Sequence, residues 1–180
     1  MLTTTVAGRT WNFSHAIGRN AGLGNGFTQP NAVALAPGGV LYVSSRGGDG
    51  AGGVVAPNKR IGKLTMDEEF IGDFGKGETV WASSLAVSSD GNVYCADEHL
   101  NKIVFFDSDG EKLGQWGESG SQEGQIDGPS GIAFDADDNL YVVDSRNDRV
   151  EKLTKDGSFL LAWGESGSGD GQFDRPWGIT

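Results

Sequence analysis

Residues 116–126 read WGESGSQEGQI and residues 163–173 read WGESGSGDGQF. The 47-position offset between Trp116 and Trp163 also relates Pro129 to Pro176, Tyr94 to Tyr141 and Asp97 to Asp144. The chain is therefore built on a repeat. One unit runs PSGIAFDADDNLYVVDSRNDRVEKLTKDGSFLLAWGESGSGDGQFDR, and the unit before it runs ASSLAVSSDGNVYCADEHLNKIVFFDSDGEKLGQWGESGSQEGQIDG. An earlier copy opens at Pro30 with PNAVALAPGGVLYVSS. From Pro30 to Ala82 is 52 positions, which is the 47-residue unit with ten residues inserted near 46–59 and five lost after Gly75. A repeat of this length confines the fold to architectures in which each copy is one supersecondary unit that buries its apolar faces against its neighbours.

Each unit divides into four short runs rich in Val, Ile, Leu, Tyr and Phe, near 131–135, 139–144, 149–154 and 158–163 in the last complete copy. Such runs read as strands. DADDN or SSDGN joins the first two and KDGS or SDGE joins the last two, and Asp and Gly there supply the backbone angles of hairpin turns. A period of roughly 40–50 residues with four antiparallel strands is the signature of a β-propeller blade. The expected fold is all-β, with innermost strands near 32–36, 84–88 and 131–135. Cys95, whose repeat equivalents are Val43 and Val142, belongs on a buried strand.

Thirty glycines against five prolines suit many short elements joined by turns, without a collagen-like or linker-like bias. The 14 Lys and Arg are outnumbered by 25 Asp and Glu, and the resulting net charge of −11 repels phosphate backbones and anionic lipid. Neither nucleic acid nor a membrane surface is an expected partner. The single cysteine forms no internal disulfide. The start, MLTTTVAGRTW, lacks the basic-then-apolar order of a signal peptide, and no run of about 18 apolar residues occurs. A soluble, cytoplasmic protein is the default expectation.

PSGIA, then NLYVVDSRNDRV, then WG and GQF resembles the NHL repeat, although Asn147-Asp148-Arg149 and Leu100-Asn101-Lys102 stand where that family's name-giving Asn-His-Leu is found. The resemblance extends from about residue 13 to 180. It implies a ring that is typically six-bladed, of which this chain would supply about three and a half blades as one partial domain. On that reading residues 1–29 carry outer strands of a closing blade plus a crossover, and 30–81, 82–128 and 129–175 are blades. Residues 176–180 then begin the next innermost strand. Open flanks of such a partial ring are expected to promote self-association.

The glycine-rich phrases read as blade-to-blade crossovers rather than phosphate cradles, since no helical period follows them. GDGAGG at 48–53 fits G-x-G-x-x-G, but the sequence continues VVAPNKRIGKL instead of opening a helix. It is read as the insertion in the first unit. DADDN at 135–139 lacks the Gly and Glu of a calcium loop and reads as a turn. Asp97 and Asp144 lie five residues before Lys102 and Arg149 on paired strands and are expected to form ion pairs, whereas Ser45 faces Arg60 in the first unit.

In a blade of this topology the crossovers and the loop between second and third strands share one end, the top face. Asn31, Ser83, Ser130 and Trp177 start the innermost strands there, and Arg46, His99 and Arg146 stand in the second loop. These seven are the expected ligand-binding residues. No catalytic set, metal site or cofactor is expected. A resemblance to the peptidyl-hydroxyglycine amidating lyase would require zinc-binding histidines one residue after the Pro of innermost strands, but Asn31, Ser83, Ser130 and Trp177 occupy those places. The only histidines, His15 and His99, lie elsewhere. The expected function is therefore a scaffold that binds a protein or small ligand through its top face. The alternative is a metal-dependent lyase or hydrolase of the amidating-lyase or gluconolactonase type, with its ligands outside this chain.

Overall fold

Asp and Gly in the short connections let the chain reverse at each hairpin: Gly91, Gly110 and Gly157 and the non-glycine Asp138 all hold positive φ at these turns. The computed structural model describes residues 3–6, 9–12, 14–20, 26–46 and 59–180, with backbone alone for 3–6, 9–12 and 19–20. Most of the inserted segment in the first unit, 47–58, lies outside the described residues.

The chain opens with an antiparallel pair, β1 (Thr3–Val6) and β2 (Arg9–Asn12), followed by a short parallel pair, β3 (Arg19–Asn20) and β4 (Gly26–Phe27). The first full sheet is β5 (Pro30–Ala36), β6 (Val40–Ser45), β7 (Arg60–Thr65) and β8 (Phe70–Phe74). The second is β9 (Ala82–Val87), β10 (Val93–Asp97), β11 (Lys102–Phe106) and β12 (Lys112–Trp116). The third is β13 (Pro129–Phe134), β14 (Asn139–Asp144), β15 (Arg149–Thr154) and β16 (Phe159–Trp163). A second parallel pair, β17 (Glu165–Ser166) and β18 (Gln172–Phe173), follows. Each four-stranded sheet is antiparallel with its strands in chain order. The one helical element among the described residues is a 3-10 turn, Ser145–Asn147.

Strand β5 lies against β9, and β9 against β13, so the sheets stack face to face with their first strands adjacent, as the blades of a propeller do. The strands are apolar on both faces because each face meets a neighbour. Tyr42 and Ile61 of the first sheet pack on Leu85, Val93, Cys95 and Val104 of the second. Tyr94 and Ile103 of the second pack on Ile132, Leu140, Val142 and Leu153 of the third. Aromatic contacts reinforce both interfaces: Phe74 sets its edge to Phe106 at 5.1 Å, and Tyr94 to Phe134 at 4.9 Å. Cys95 is fully buried, as its equivalent Val142 is, Val43 is nearly so, and burial pushes the Cys95 thiol pKa upward. The outer flanks keep apolar side chains in the open: Val33 and Leu35 are each 63% exposed on one side, and Leu161 is 55% exposed on the other.

Trp116 explains the tryptophan of the repeated phrase. Its indole N–H donates to the carbonyl of Lys155 in the next sheet at 3.0 Å, and its ring covers Gly157, where an added Cβ would stand 2.6 Å from it. Phe74 covers Gly110 in the same way. Below these contacts the sheets are also tied by Asp138, which accepts from the backbone N–H and hydroxyl of Ser89 at 2.9 and 2.6 Å. Residues 176–180, expected to begin an innermost strand, run beside Gly131 of β13 but have no strand partner of their own among the described residues, so no ladder forms there.

Two outcomes are expected. Cys95 should resist a thiol reagent under native conditions and react at the free-thiol rate once urea unfolds the protein. Gly157→Ala should cost about 1–3 kcal/mol, because it combines a positive φ with a clash against Trp116, and urea denaturation measures that loss.

Candidate ligand-binding face

The top face is organised by the last residue of each second strand. Ser45 Oγ accepts from Thr28 N–H at 3.3 Å, an Asp97 carboxylate oxygen accepts from Val80 and Trp81 N–H at 2.5 and 3.1 Å, and an Asp144 oxygen accepts from Asp127 N–H at 2.6 Å. Thr28, Val80 and Asp127 occupy the same repeat position, two residues before the innermost strand begins. The side chain thus gathers backbone donors of the crossover that would otherwise be unpaired beside a buried carboxylate.

Asp144 and Arg149 form the expected ion pair at 2.8 Å. Asp97 and Lys102 do not: they are paired across the hairpin, but Lys102 reaches Gln115 at 3.2 Å, and Asp97 is satisfied by four backbone N–H groups, from Val80, Trp81, His99 and Leu100. The shortened crossover after Gly75 accounts for the difference. In the full-length crossover before the third sheet, Arg149 donates to the carbonyls of Ser121, Gln122 and Gln125 at 2.7–2.9 Å. Arg60, facing Ser45, is buried and likewise donates to a crossover carbonyl, that of Gly26 before the first sheet, at 2.7 Å. The arginine at this place holds a long crossover, and the shortened one leaves Lys102 with no such carbonyls.

The crossovers themselves are self-contained loops. Gln125 and Gln172 accept from Gln122 and Gly169 N–H, and their amides lie where Gly120 and Gly167 would carry a Cβ, 2.1 and 2.2 Å away. Glycine is required there by packing, which is why the GESGS…GQ pattern recurs. DADDN is a turn in which Asp135 accepts from the N–H groups of Asp137 and Asn139. The Lys152 ammonium at 2.9 Å, with those N–H groups, holds the Asp135 carboxyl well below its usual pKa. Among the described residues, no group of three or more His, Cys, Asp or Glu side chains is placed to hold a metal ion.

Three of the seven expected site residues bond across to the start of the next stretch of chain. Asn31 donates its amide to the carbonyls of Ala82 and Ser83 at 2.9 and 3.0 Å, Ser83 donates to Pro129 at 2.6 Å, and Ser130 donates to Pro176 at 3.0 Å. Each of the first two innermost strands is thereby pinned to the start of the next. Of the other four, Arg46 lines one of two adjoining depressions and Arg146 and Trp177 the other, while His99 is exposed but lines neither; Asn31, although bonded across, is exposed and lines the depression at Arg46. One, of about 320 Å³, is lined by Glu98, Gly128, Ser145, Arg146, Arg175 and Trp177. The other, of about 350 Å³, is lined by Gln29, Pro30, Asn31, Arg46 and Trp81. The Arg46–Glu98 ion pair at 2.5 Å divides them.

Arg46 also lies over the Trp81 ring, 5.2 Å from its centroid, and His99 packs against the same indole in a tilted arrangement with ring centroids 5.0 Å apart. Arg146 pairs with Asp127 at 2.8 Å while its side chain stays 52% exposed, and Gly128 gives it room to lie flat across the crossover. Trp177 is 59% exposed. His15 is remote from this face: it lies in a segment without strand structure and its ring bonds to Ser14 and to the Met66 carbonyl. Sequence reasoning missed Trp81, Glu98 and Arg175. Trp81 and Arg175 share one repeat position with Gln29 and Gly128, and an unrepeated residue at a repeated position was the available signal.

Residues 127–153 match the NHL repeat. The comparisons with solved structures extend the likeness over most of the chain. A streptogramin B lyase aligns at 18% identity with a TM-score of 0.60, covering 85% of this chain and 45% of that one. A catalytically inactive virginiamycin B lyase from Staphylococcus aureus, in complex with quinupristin, aligns at 16% identity and a TM-score of 0.57, covering 83% and 44%. A nidogen–laminin complex aligns at 18% identity and 0.54, covering 76% and 48%. The chain spans less than half the length of these structures. Comparison with curated protein sequences gave no significant match. The fold is a β-propeller, all-β and built of four-stranded antiparallel blades, with an NHL repeat at residues 127–153. No helix among the described residues is long and apolar enough to cross a membrane.

Glu151 supplies a test of how the third crossover is held. It is fully buried in β15, where the equivalent residues are Gly62 and Val104, and it receives Arg149 at 2.9 Å and Gly124 N–H at 3.3 Å on one oxygen while the other has no hydrogen-bond partner. Burial raises its pKa against the opposing pull of Arg149. An acid whose folded pKa is raised favours the folded state when protonated, so its contribution falls as pH climbs from the ordinary glutamate value through the folded one. Glu151→Gln should remove that component: the stability difference between variant and parent, measured by urea denaturation across pH, should shift in the variant's favour as pH rises above about 4.3.

Proposed function

We propose that the protein is a non-enzymatic recognition propeller that binds a protein or small-molecule ligand on its top face. The observation that carries this reading is the convergence of two indoles, Trp81 and Trp177, and three arginines, Arg46, Arg146 and Arg175, on two adjoining depressions. Arginine and tryptophan dominate binding hot spots, because they combine large contact area with directed donors. The opposite face, by contrast, consists of short hairpin turns such as those at Gly91 and Gly157.

The lyases among the structural neighbours favour a second reading, a metal-dependent lyase or hydrolase, through likeness of fold alone. That reading draws its metal ligands from outside the described residues.

Replacing Arg146 or Trp177 by alanine should weaken partner binding by about 2 kcal/mol or more while leaving the melting temperature within a few degrees of the parent. Unchanged affinity in both variants, or a loss matched by unfolding, removes this face from consideration. Metal analysis of the purified protein tests the second reading, which predicts a stoichiometric divalent ion.

A further inference from the structure

The depression at Trp177 carries a charge asymmetry that selects its ligand. Glu98 is answered by Arg46, and Asp127 by Arg146. Among the described residues, the Arg175 guanidinium has neither an ion-pair nor a hydrogen-bond partner, although its backbone N–H is held by Asp148 at 2.7 Å. Arg175 also adopts φ +47, a left-handed conformation shared by Gln29 at the equivalent place and unusual for either residue. The backbone is therefore fixed in an uncommon conformation at an arginine that lines the depression together with Trp177.

We infer that this depression binds a single carboxylate attached to an apolar or aromatic body, with Arg175 as the bidentate donor to the carboxylate and Trp177 as the platform for the body. The inference rests on the top-face reading above and narrows it to a ligand class. A guanidinium fork matches a carboxylate in geometry, and the flanking indole is suited to a flat or apolar group. Ser145 and Arg146 line the same depression and offer further donors. The net charge of −11 works against ligands with several negative charges, so a monoanion suits the site better than a polyanion. Two sources share this chemistry, a peptide ending in an apolar residue and a free aromatic acid.

The test is calorimetric titration of the intact protein with N-acetylphenylalanine, with its neutral amide, and with the longer peptide acid N-acetyl-Gly-Gly-Phe. The acid should bind at least about tenfold more tightly than the amide. Arg175→Met should erase that preference while leaving amide binding unchanged, and Arg175→Lys should retain part of it. Tighter binding of the longer peptide identifies a peptide terminus as the source, and equal binding identifies a free acid. Equal affinity for acid and amide, an unaltered preference in Arg175→Met, or no binding of any probe at millimolar concentration overturns the carboxylate assignment. The top-face reading stands or falls separately, on partner binding by the Arg146→Ala and Trp177→Ala variants.

Discussion

The arrangement depends on one short hydrogen bond repeated along the chain: the side chain that ends each second strand accepts from the crossover two residues before the innermost strand begins. It fixes where the chain turns inward, and therefore the height at which each innermost strand starts. Where the acceptor is a buried carboxylate, as with Asp97 and Asp144, the bond is charge-assisted and the carboxylate has enough lone pairs to take several donors. Ser45 performs the same task with one neutral oxygen at 3.3 Å. The side chains of Asn31 and Ser83 then pass the register on, each to the next sheet, and Ser130 bonds in the same way to Pro176.

Most of the blade framework was legible because the turns are written in residues with few alternatives. Gly91 and Gly157 mark hairpins that little else would fill so well, and the strands between them follow within one or two residues of the expected bounds. The Asp144–Arg149 pair was legible from strand pairing alone. Asp97–Lys102 was not, because the outcome hinged on the crossover: with five residues removed, the backbone N–H groups of Val80 and Trp81 fall on Asp97 and take the place of a cation. A pair rule that ignores what competes for the acceptor fails at such a position.

The face itself was legible only in part. Of the residues named from position, His99, Arg146 and Trp177 are exposed, and Arg46 is half-buried beside Trp81 and Glu98. Position could not distinguish a polar side chain facing solvent from one buried against the next stretch of chain: Ser83 and Ser130 are of the second kind, and Asn31 is exposed yet bonded across to Ala82 and Ser83. Glu151 shows the converse. A charge in a column otherwise held by Gly62 and Val104 was visible in the sequence, but its partner, an arginine already shared among three crossover carbonyls, required the folded loop.

The seating of Trp116 on Gly157 crosses the boundary between repeats: the indole belongs to one copy and the glycine turn to the next. The second and third copies each carry an outer-strand aromatic at their end, Trp116 and Trp163, and a bare glycine turn in their middle, Gly110 and Gly157, whereas the first has Phe74 at its end but Glu68 at its turn, so duplicating either of the later units supplies both a plug and a socket. Lengthening such an array by gene duplication therefore needs no new complementary surface to be invented. It also links the fates of adjacent copies, since a bulkier residue at one turn evicts a side chain encoded in the copy before it. Divergence is consequently freest at sites that neither plug nor socket touches, such as the position shared by Gln29, Trp81, Gly128 and Arg175, where four copies carry four different residues.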